Sequence, residues 1–268
     1  MIGPLGVSNL AWPSEALDEA LALLARLGCG AVEIAPWAVF GRWDGITDEA
    51  RRLRERIEAH GLVCSALQGI VFGAGDVSLF GAPAARDRLE RHLGDVAMVA
   101  GVLGARACVF GAPKQRDPGA LDAEAAWEIA LRALRRIGPA FDAAGSALAF
   151  EANARRYGCR FVTTTAEAIR LVEDVATPGV GLQIDTGTVF LEQEPADVLL
   201  RAAPLAVHAH VSEPDLRPVG GGEVDHAPLA AALKASGYNG SLSVEMRQTD
   251  DWAAAVTHAV SFVTTTYL

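Results

Sequence analysis

The chain has 268 residues, of which 51% are hydrophobic and 21% are charged, and its formal net charge at pH 7 is −10. This balance is typical of a globular protein and argues against a nucleic-acid-binding surface, because such surfaces are basic. The first residues lack the basic and apolar regions of a signal peptide, and no apolar run is long enough to cross a membrane. We therefore expect a cytoplasmic protein with neither nucleic acid nor membrane as a partner.

Strand-like apolar segments alternate with amphipathic, helix-like segments along the whole chain. The eight predicted strands lie near residues 3–11, 31–37, 62–70, 106–112, 147–153, 180–187, 205–212 and 241–247. The predicted helices lie near residues 15–28, 47–61, 86–104, 123–145, 165–175, 195–202, 225–237 and 250–268. Eight such units predict an α/β fold, a (β/α)₈ TIM barrel with a single domain over residues 1–268. A doubly wound open sheet is the alternative, but no GxGxxG follows the first strand.

Capping residues support these helix boundaries. Glycines follow several predicted helices where a left-handed cap is expected, at Gly28, Gly61, Gly104, Gly145 and Gly237. Candidate N-caps are Ser14, Thr47, and Thr165 or one of its neighbours.

The four cysteines are widely spaced and form no CxxC or Cys/His cluster. Cys29, Cys64 and Cys108 lie at or beside apolar strands, which indicates reduced core residues. A zinc-thiolate site is not expected.

Four strand-like segments in the second half of the chain each end in a side chain that can bind a metal. These candidate ligands are Glu151, Asp185, His210 and Glu245. Each follows apolar residues, where a buried carboxylate is costly unless it is paired or coordinated. A salt bridge with a core arginine would explain any one of them, but a shared cation explains the set better.

Parallel strands of a barrel end at one rim, so strands five to eight would each offer one ligand to a common point. Three carboxylates and one imidazole suit Mn²⁺, Mg²⁺ or Co²⁺, with Zn²⁺ as an alternative. We therefore expect one divalent metal ion as the cofactor.

The motifs FEAN, YGCRFVTTTAEA, IDTGT, HAHVSE and GYNGSLSVEM carry a family resemblance. With them, nearly the whole chain resembles the xylose-isomerase-like barrel superfamily, and within it the sugar phosphate isomerase/epimerase group that includes ketose 3-epimerases. The resemblance implies that Glu151, Asp185, His210 and Glu245 bind one divalent metal. It also implies that Glu151 and Glu245 are catalytic, one removing a proton from carbon and the other returning it through a metal-stabilised enediolate.

His208 and His210 are two residues apart, so both point to the same side of a regular strand. His210 is the predicted ligand because it lies nearer the strand end and matches the family position. His208 would lie one layer deeper, either as a packed histidine or as a support that orients the site.

Further residues are predicted to contact substrate. Lys114 and Arg116, after strand four, would either bind a phosphate or sugar hydroxyl or remain solvated. Arg217 lies just past the metal histidine, where the family often has a substrate-binding group. The other candidates lie at or near strand ends: Glu33, Gln68 and Asn153.

The sequence departs from the family pattern at two positions. Thr188 stands where many relatives have a histidine three residues after the strand-six aspartate, and Tyr157 stands where ketose epimerases tend to have a glutamate. Both changes weigh against a standard free-ketose epimerase. Three-zinc nucleases of related fold need extra histidines, but this chain has Gln68, Phe110 or Gly111, and Thr188 there.

The predicted function is therefore a metal-dependent isomerase or epimerase of a sugar, sugar acid, cyclitol or sugar phosphate, in carbohydrate metabolism. A lyase of the inosose-dehydratase type is the alternative on the same metal site, because the same enolate can expel a β-hydroxyl group. A third hypothesis is a non-catalytic sugar-binding barrel that retains the metal. By resemblance, a homo-oligomer, either dimer or tetramer, is expected.

Overall fold

Eight parallel strands form the inner wall of the barrel in the computed structural model, which describes residues 1–268. Strands β1 to β8 span Leu5–Val7, Ala31–Ile34, Val63–Leu67, Ala107–Phe110, Leu148–Glu151, Val180–Asp185, Ala206–Ser212 and Ser241–Glu245. All eight predicted strands are confirmed in their predicted places. Each is shorter than predicted because the flanking residues belong to the loops.

Each strand from β2 to β7 pairs in parallel with the next strand in the chain, and β8 pairs with β1. The remaining seam, between β1 and β2, is joined by a parallel bridge between Ser8 and Glu33. Gly30 N–H also donates to Leu5 O across this seam at 3.0 Å. The predicted single-domain (β/α)₈ barrel is confirmed.

Ten α-helices accompany these strands. Helices α1 to α10 span Leu17–Arg26, Pro36–Phe40, Thr47–Ala59, Pro83–Leu103, Ala123–Ala143, Thr165–Val175, Thr186–Leu191, Val198–Ala202, His226–Ala235 and Trp252–Tyr267. All eight predicted helices are present, whereas α2 and α7 were not predicted. Both are short and begin directly after a strand, where the sequence suggested that the strand continued.

The predicted glycine caps are confirmed, since all five glycines have φ between 69° and 79°, in the left-handed region. Two of the N-cap predictions are wrong. Ser14 lies inside a 3₁₀ turn, and Thr47 is already helical, with Ile46 in the cap position. The neighbour of Thr165, Thr164, caps α6 through its side chain and forms a reciprocal capping box with Glu167.

The strands are buried on both faces, as expected when helices surround a parallel barrel. Every residue of β1, β2, β4 and β5 is buried. The helices bury one face each, and in α5 this face contains Ala126, Ala130, Leu134, Ile137 and Phe141. No helix has both the length and the apolar composition needed to cross a bilayer.

The four cysteines are buried and unbridged, as predicted for reduced core residues. Burial raises the pKa of the Cys29 thiol to about 11 and that of Cys108 to about 12. At neutral pH both therefore remain thiols packed against apolar neighbours.

Candidate metal centre

The structure brings the four predicted metal ligands together at the carboxyl-terminal rim. Glu151, Asp185 and Glu245 are the last residues of β5, β6 and β8, and His210 lies two residues before the end of β7. Each of the four offers a ligand atom, and these atoms all lie within 4.8 Å of one another. His210 Nδ1 lies 3.5 Å from Glu151 Oε1 and 3.2 Å from Glu245 Oε2.

The chemistry of this cluster fits a divalent cation. Three carboxylates crowd one small volume, and burial together with the charge of Glu151 raises the pKa of Asp185. His210 Nδ1 is buried and makes no hydrogen bond. A cation between these atoms would neutralise the carboxylates and coordinate the unpartnered nitrogen. The donor set of oxygens and one imidazole suits Mn²⁺, Mg²⁺ or Co²⁺.

The far side of the His210 ring is held by Glu33. Both carboxylate oxygens of Glu33 lie near His210 Nε2, at 2.9 and 3.0 Å, and Glu33 is completely buried. Because a carboxylate only accepts hydrogen bonds, Nε2 carries the hydrogen, and Nδ1 faces the three carboxylates of the rim. Glu33 therefore fixes both the orientation and the tautomer of the candidate ligand.

Burial disfavours the charged forms of Glu33 and His210, but their mutual attraction outweighs this cost. The pKa of the Glu33 carboxyl consequently lies far below its usual range, and the pKa of His210 lies well above 6.5. In the metal-free protein this favours the imidazolium form of His210. A cation at Nδ1 would replace the proton there.

Asp185 is held by the start of α7 and by β7. Its Oδ1 accepts from the Thr188 N–H at 2.6 Å, and its Oδ2 accepts from Ser212 Oγ at 2.5 Å. The Thr188 hydroxyl donates to Ala152 O at 3.3 Å. Thr188 is thus buried and bonded to the protein at the position where the family resemblance predicts a histidine.

Glu151 is held by Asn153, whose Nδ2 donates to Glu151 Oε2 at 2.7 Å. Arg116 in turn donates to Asn153 Oδ1 at 2.5 Å. Arg116 is completely buried, so it is not the solvated rim charge that was one of the two alternatives. Gly111 also borders this group, since a Cβ there would lie 1.8 Å from Glu151 Oε2.

The remaining predicted site residues differ in exposure. Lys114 is exposed, and exposed Arg217 pairs with Glu223 at 2.8 Å. Gln68 is 2% exposed and bonds to Ser8 Oγ, while His208 lies below His210 with its Nε2 3.5 Å from Glu33.

Four of the predicted substrate-binding side chains contact other side chains of the protein: Glu33, Gln68, His208 and Asn153. Their role in binding substrate, like that of Lys114 and Arg217, therefore stays a prediction.

Ser212 and Gly111 were not identified from the sequence. The alternation that places His208 and His210 on one face of β7 also places Ser212 there, so this residue could have been found. Gly111 follows β4 directly, but its contact with Glu151 depends on how closely β4 and β5 approach each other.

Comparisons with known proteins agree with this architecture. A family model described as a xylose isomerase-like TIM barrel matches residues 21–265. An L-ribulose 3-epimerase of Mesorhizobium japonicum is 28% identical over 120 residues, a match that spans 44% of this chain and 40% of that protein.

Several solved structures share the fold. A D-psicose 3-epimerase from Clostridium cellulolyticum H10 has a TM-score of 0.83 at 16% identity, covering 98% of this chain and 99% of that one. An L-ribulose 3-epimerase also has a TM-score of 0.83, at 22% identity, covering 99% and 95% of the two chains. A 3-keto-D-glucoside 4-epimerase from E. coli has a TM-score of 0.80 at 18% identity, covering 98% and 99%.

Proposed function

Because this chain belongs to the xylose isomerase-like TIM barrel family, we propose that it is a divalent-metal-dependent sugar epimerase or isomerase. Epimerisation of a ketose at the carbon next to its carbonyl is the best-supported reaction. The partial relative and two of the structurally similar proteins are named as ketose 3-epimerases, and a third acts on a keto sugar.

One observation carries this proposal: Glu151 and Glu245 both belong to one ligand cluster at the barrel rim. His210 Nδ1 is close to both carboxylates, and Asp185 completes the group. The Glu151 and Glu245 side chains are 10% and 18% exposed, so each retains a small opening to the mouth of the barrel. A substrate entering from the rim would therefore meet both carboxylates.

In the proposed reaction one glutamate removes the proton from the substrate carbon, and the other delivers a proton to the opposite face. The C–H electron pair moves into the adjacent carbonyl and returns to carbon when the second proton is added. A divalent cation held by Glu151, Asp185, His210 and Glu245 would stabilise the negative charge that develops on the substrate oxygens. Asn153 restrains Glu151 by holding its Oε2.

A deuterium wash-in experiment tests the proposal. The protein, with its metal content measured, is incubated in D₂O with a ketose panel that includes L-ribulose and D-psicose. We expect one deuterium at the reacting carbon with the wild-type protein. Glu245→Gln should retain much of the metal but abolish incorporation, because the amide cannot act as a base. Glu58→Gln, which changes an exposed carboxylate on α3, is the matched control and should behave like wild type.

The other functional hypotheses give different results in the same experiment. Loss of one water from the product, detected by mass, would indicate a lyase. Bound metal without deuterium exchange across the panel would indicate a non-catalytic barrel. Full exchange by the Glu245→Gln protein would rule out the assigned role of Glu245. The expected dimer or tetramer also stays a prediction, which light scattering can check.

A further inference from the structure

Arg116 is a completely buried cation whose role the proposed reaction does not explain. Its guanidinium carbon lies 4.5 Å from the centroid of the Phe150 ring and 5.8 Å from that of Phe110. Its Nε and Nη1 have no hydrogen-bond partner, and no carboxylate forms a salt bridge with it. Arginine remains protonated in proteins, so this charge is costly to bury unless it serves a specific contact.

The short hydrogen bond that Arg116 makes connects it, through Asn153, to the candidate metal centre. Its Nη2 donates to Asn153 Oδ1 at 2.5 Å, and Asn153 Nδ2 donates to Glu151 Oε2 at 2.7 Å. A guanidinium has only donors, so it can bond to the oxygen of the Asn153 amide but not to its nitrogen. Arg116 therefore determines which way the amide faces and directs its NH₂ group toward Glu151.

The space around Glu151 leaves its carboxylate few other positions. A Cβ on Gly111 would lie 1.8 Å from Glu151 Oε2 and 3.1 Å from Asn153 Nδ2. The carboxylate and the amide therefore pack directly against the backbone after β4. With Oε2 held in this way, Oε1 is the oxygen that faces His210 Nδ1, at 3.5 Å.

We infer that Arg116 is a positioning residue that acts through Asn153 to hold Glu151 in the orientation needed for metal binding and proton transfer. The inference rests on the proposed function of Glu151. Arg116 does not contact substrate, because it is completely buried and packs against two aromatic rings.

A double-mutant cycle tests this chain of contacts. The variants are Arg116→Met, Asn153→Ala and the double variant, each measured for Co²⁺ affinity by calorimetry and for kcat and KM. Methionine can pack against the rings but cannot orient the amide. We expect each single variant to lose about 10–100-fold in Co²⁺ affinity and in kcat, with KM little changed. The double variant should be no worse than the poorer single variant, because both remove the same contact.

Arg135→Met is the matched control. The Arg135 guanidinium donates to the carbonyl oxygens of Asp174 and Val175, which are not part of the ligand cluster. This variant removes an exposed arginine that bonds only to backbone carbonyl groups, and it should keep wild-type Co²⁺ affinity. Equal losses in the Arg135 and Arg116 variants would overturn the inference, as would additive losses in the double variant.

Asn153→Asp provides a test that does not depend on how the Arg116 variants fold. An aspartate can still accept from Arg116, but it offers no hydrogen to Glu151 and repels its carboxylate. We expect this variant to fold and to lose about 10-fold or more in Co²⁺ affinity. Wild-type affinity and kcat in this variant would overturn the inference. If no ketose turns over even with the wild-type protein, the proposed function fails, whereas the Co²⁺ affinities still decide the role of Arg116.

Discussion

The two halves of the barrel contribute differently to the candidate metal centre. Strands β5 to β8 supply all four candidate ligands from their carboxyl-terminal ends. The half formed by β1 to β4 supplies none of these four ligands. It does hold two of them, one directly and the other through an intervening side chain. Glu33 at β2 holds His210, and Arg116 after β4 contacts Glu151 through Asn153. One half provides the four ligands, and the other helps to orient two of them.

This difference separates two kinds of requirement. A ligand contributes directly to the binding energy of the cation, whereas an orienting residue changes only how well a ligand is positioned. Substitutions in the two halves should therefore differ in size and in which property they change.

The largest effect is expected at a ligand in the second half. Asp185→Asn keeps an oxygen for the hydrogen bonds to Thr188 or Ser212 but removes a charge from the cluster. We expect Co²⁺ binding to weaken by about 2–5 kcal/mol, as when one partner of a buried charged pair is removed. Calorimetric titration of the metal-free protein measures this loss.

The same variant should stabilise the metal-free protein. Burial and the charge of Glu151 raise the pKa of Asp185, so its ionised form is penalised in the folded state. The protonated Asp185 carboxyl therefore contributes to the stability of the folded wild-type protein at low pH. This contribution is lost as the pH rises through the pKa of Asp185 in the folded state. The gain in unfolding free energy should therefore grow as the pH rises from below the usual pKa of an aspartate through the raised pKa of Asp185 in the folded protein. A gain that is flat with pH, measured by denaturant unfolding, would contradict this account.

An intermediate effect is expected for Glu33→Gln in the first half. The amide cannot replace the carboxylate that receives the His210 Nε2 hydrogen with both its oxygens. We expect Co²⁺ affinity to fall by about 10–100-fold, less than for the loss of a ligand. Calorimetry under the same conditions allows direct comparison with the Asp185→Asn protein.

Glu213→Gln is the control for Glu33→Gln. Glu213 is also a buried carboxylate that contacts a histidine, with its Oε1 3.2 Å from His226 Nε2, but this pair is not part of the ligand cluster. The control should lower thermal stability without changing Co²⁺ affinity. If both variants lose affinity equally, the first half affects the site only through general stability.

The smallest effect is expected for Gly94→Ala on α4, the helix between β3 and β4. An added Cβ there meets no atom within 4 Å, and the residue lies inside the helix. We expect about 0.5–1 kcal/mol of added stability, because alanine favours the helix more than glycine does. Thermal unfolding should shift upward by about 2 °C, with unchanged Co²⁺ affinity. A change in Co²⁺ affinity in this variant would mean that stability alone alters the site. The proposed difference between ligands and orienting residues would then fail.

The sequence allowed the fold and the four clustered side chains to be predicted for the same reason. Each strand could be identified by its apolar run, and parallel strands of a barrel must end at one rim. Glu151 and Asp185 were identified because each follows such a run directly. The helix α7 was missed because IDTGT resembles a continuing strand, whereas Asp185 accepts from the Thr188 N–H and starts a helix.

The orienting contacts could not be predicted because they depend on the closed barrel and on the paths of its loops. Glu33 and His210 meet only when β2 and β7 are placed in the closed structure with the observed register. Arg116 was predicted either to bind a phosphate or sugar hydroxyl or to remain solvated, because its burial depends on the path of the loop after β4. That loop returns the side chain against Phe110 and Phe150, two rings on neighbouring strands.

The pairing of Glu33 with His210 also has a consequence for how the chain folds during synthesis. The two residues are 177 positions apart, so Glu33 leaves the ribosome long before its partner. Until β7 arrives, a collapsed N-terminal half would enclose a carboxylate with no cation nearby, which disfavours early compaction around β2. Contacts of such long range slow folding, and this one delays burial of the barrel centre until most of the chain has emerged.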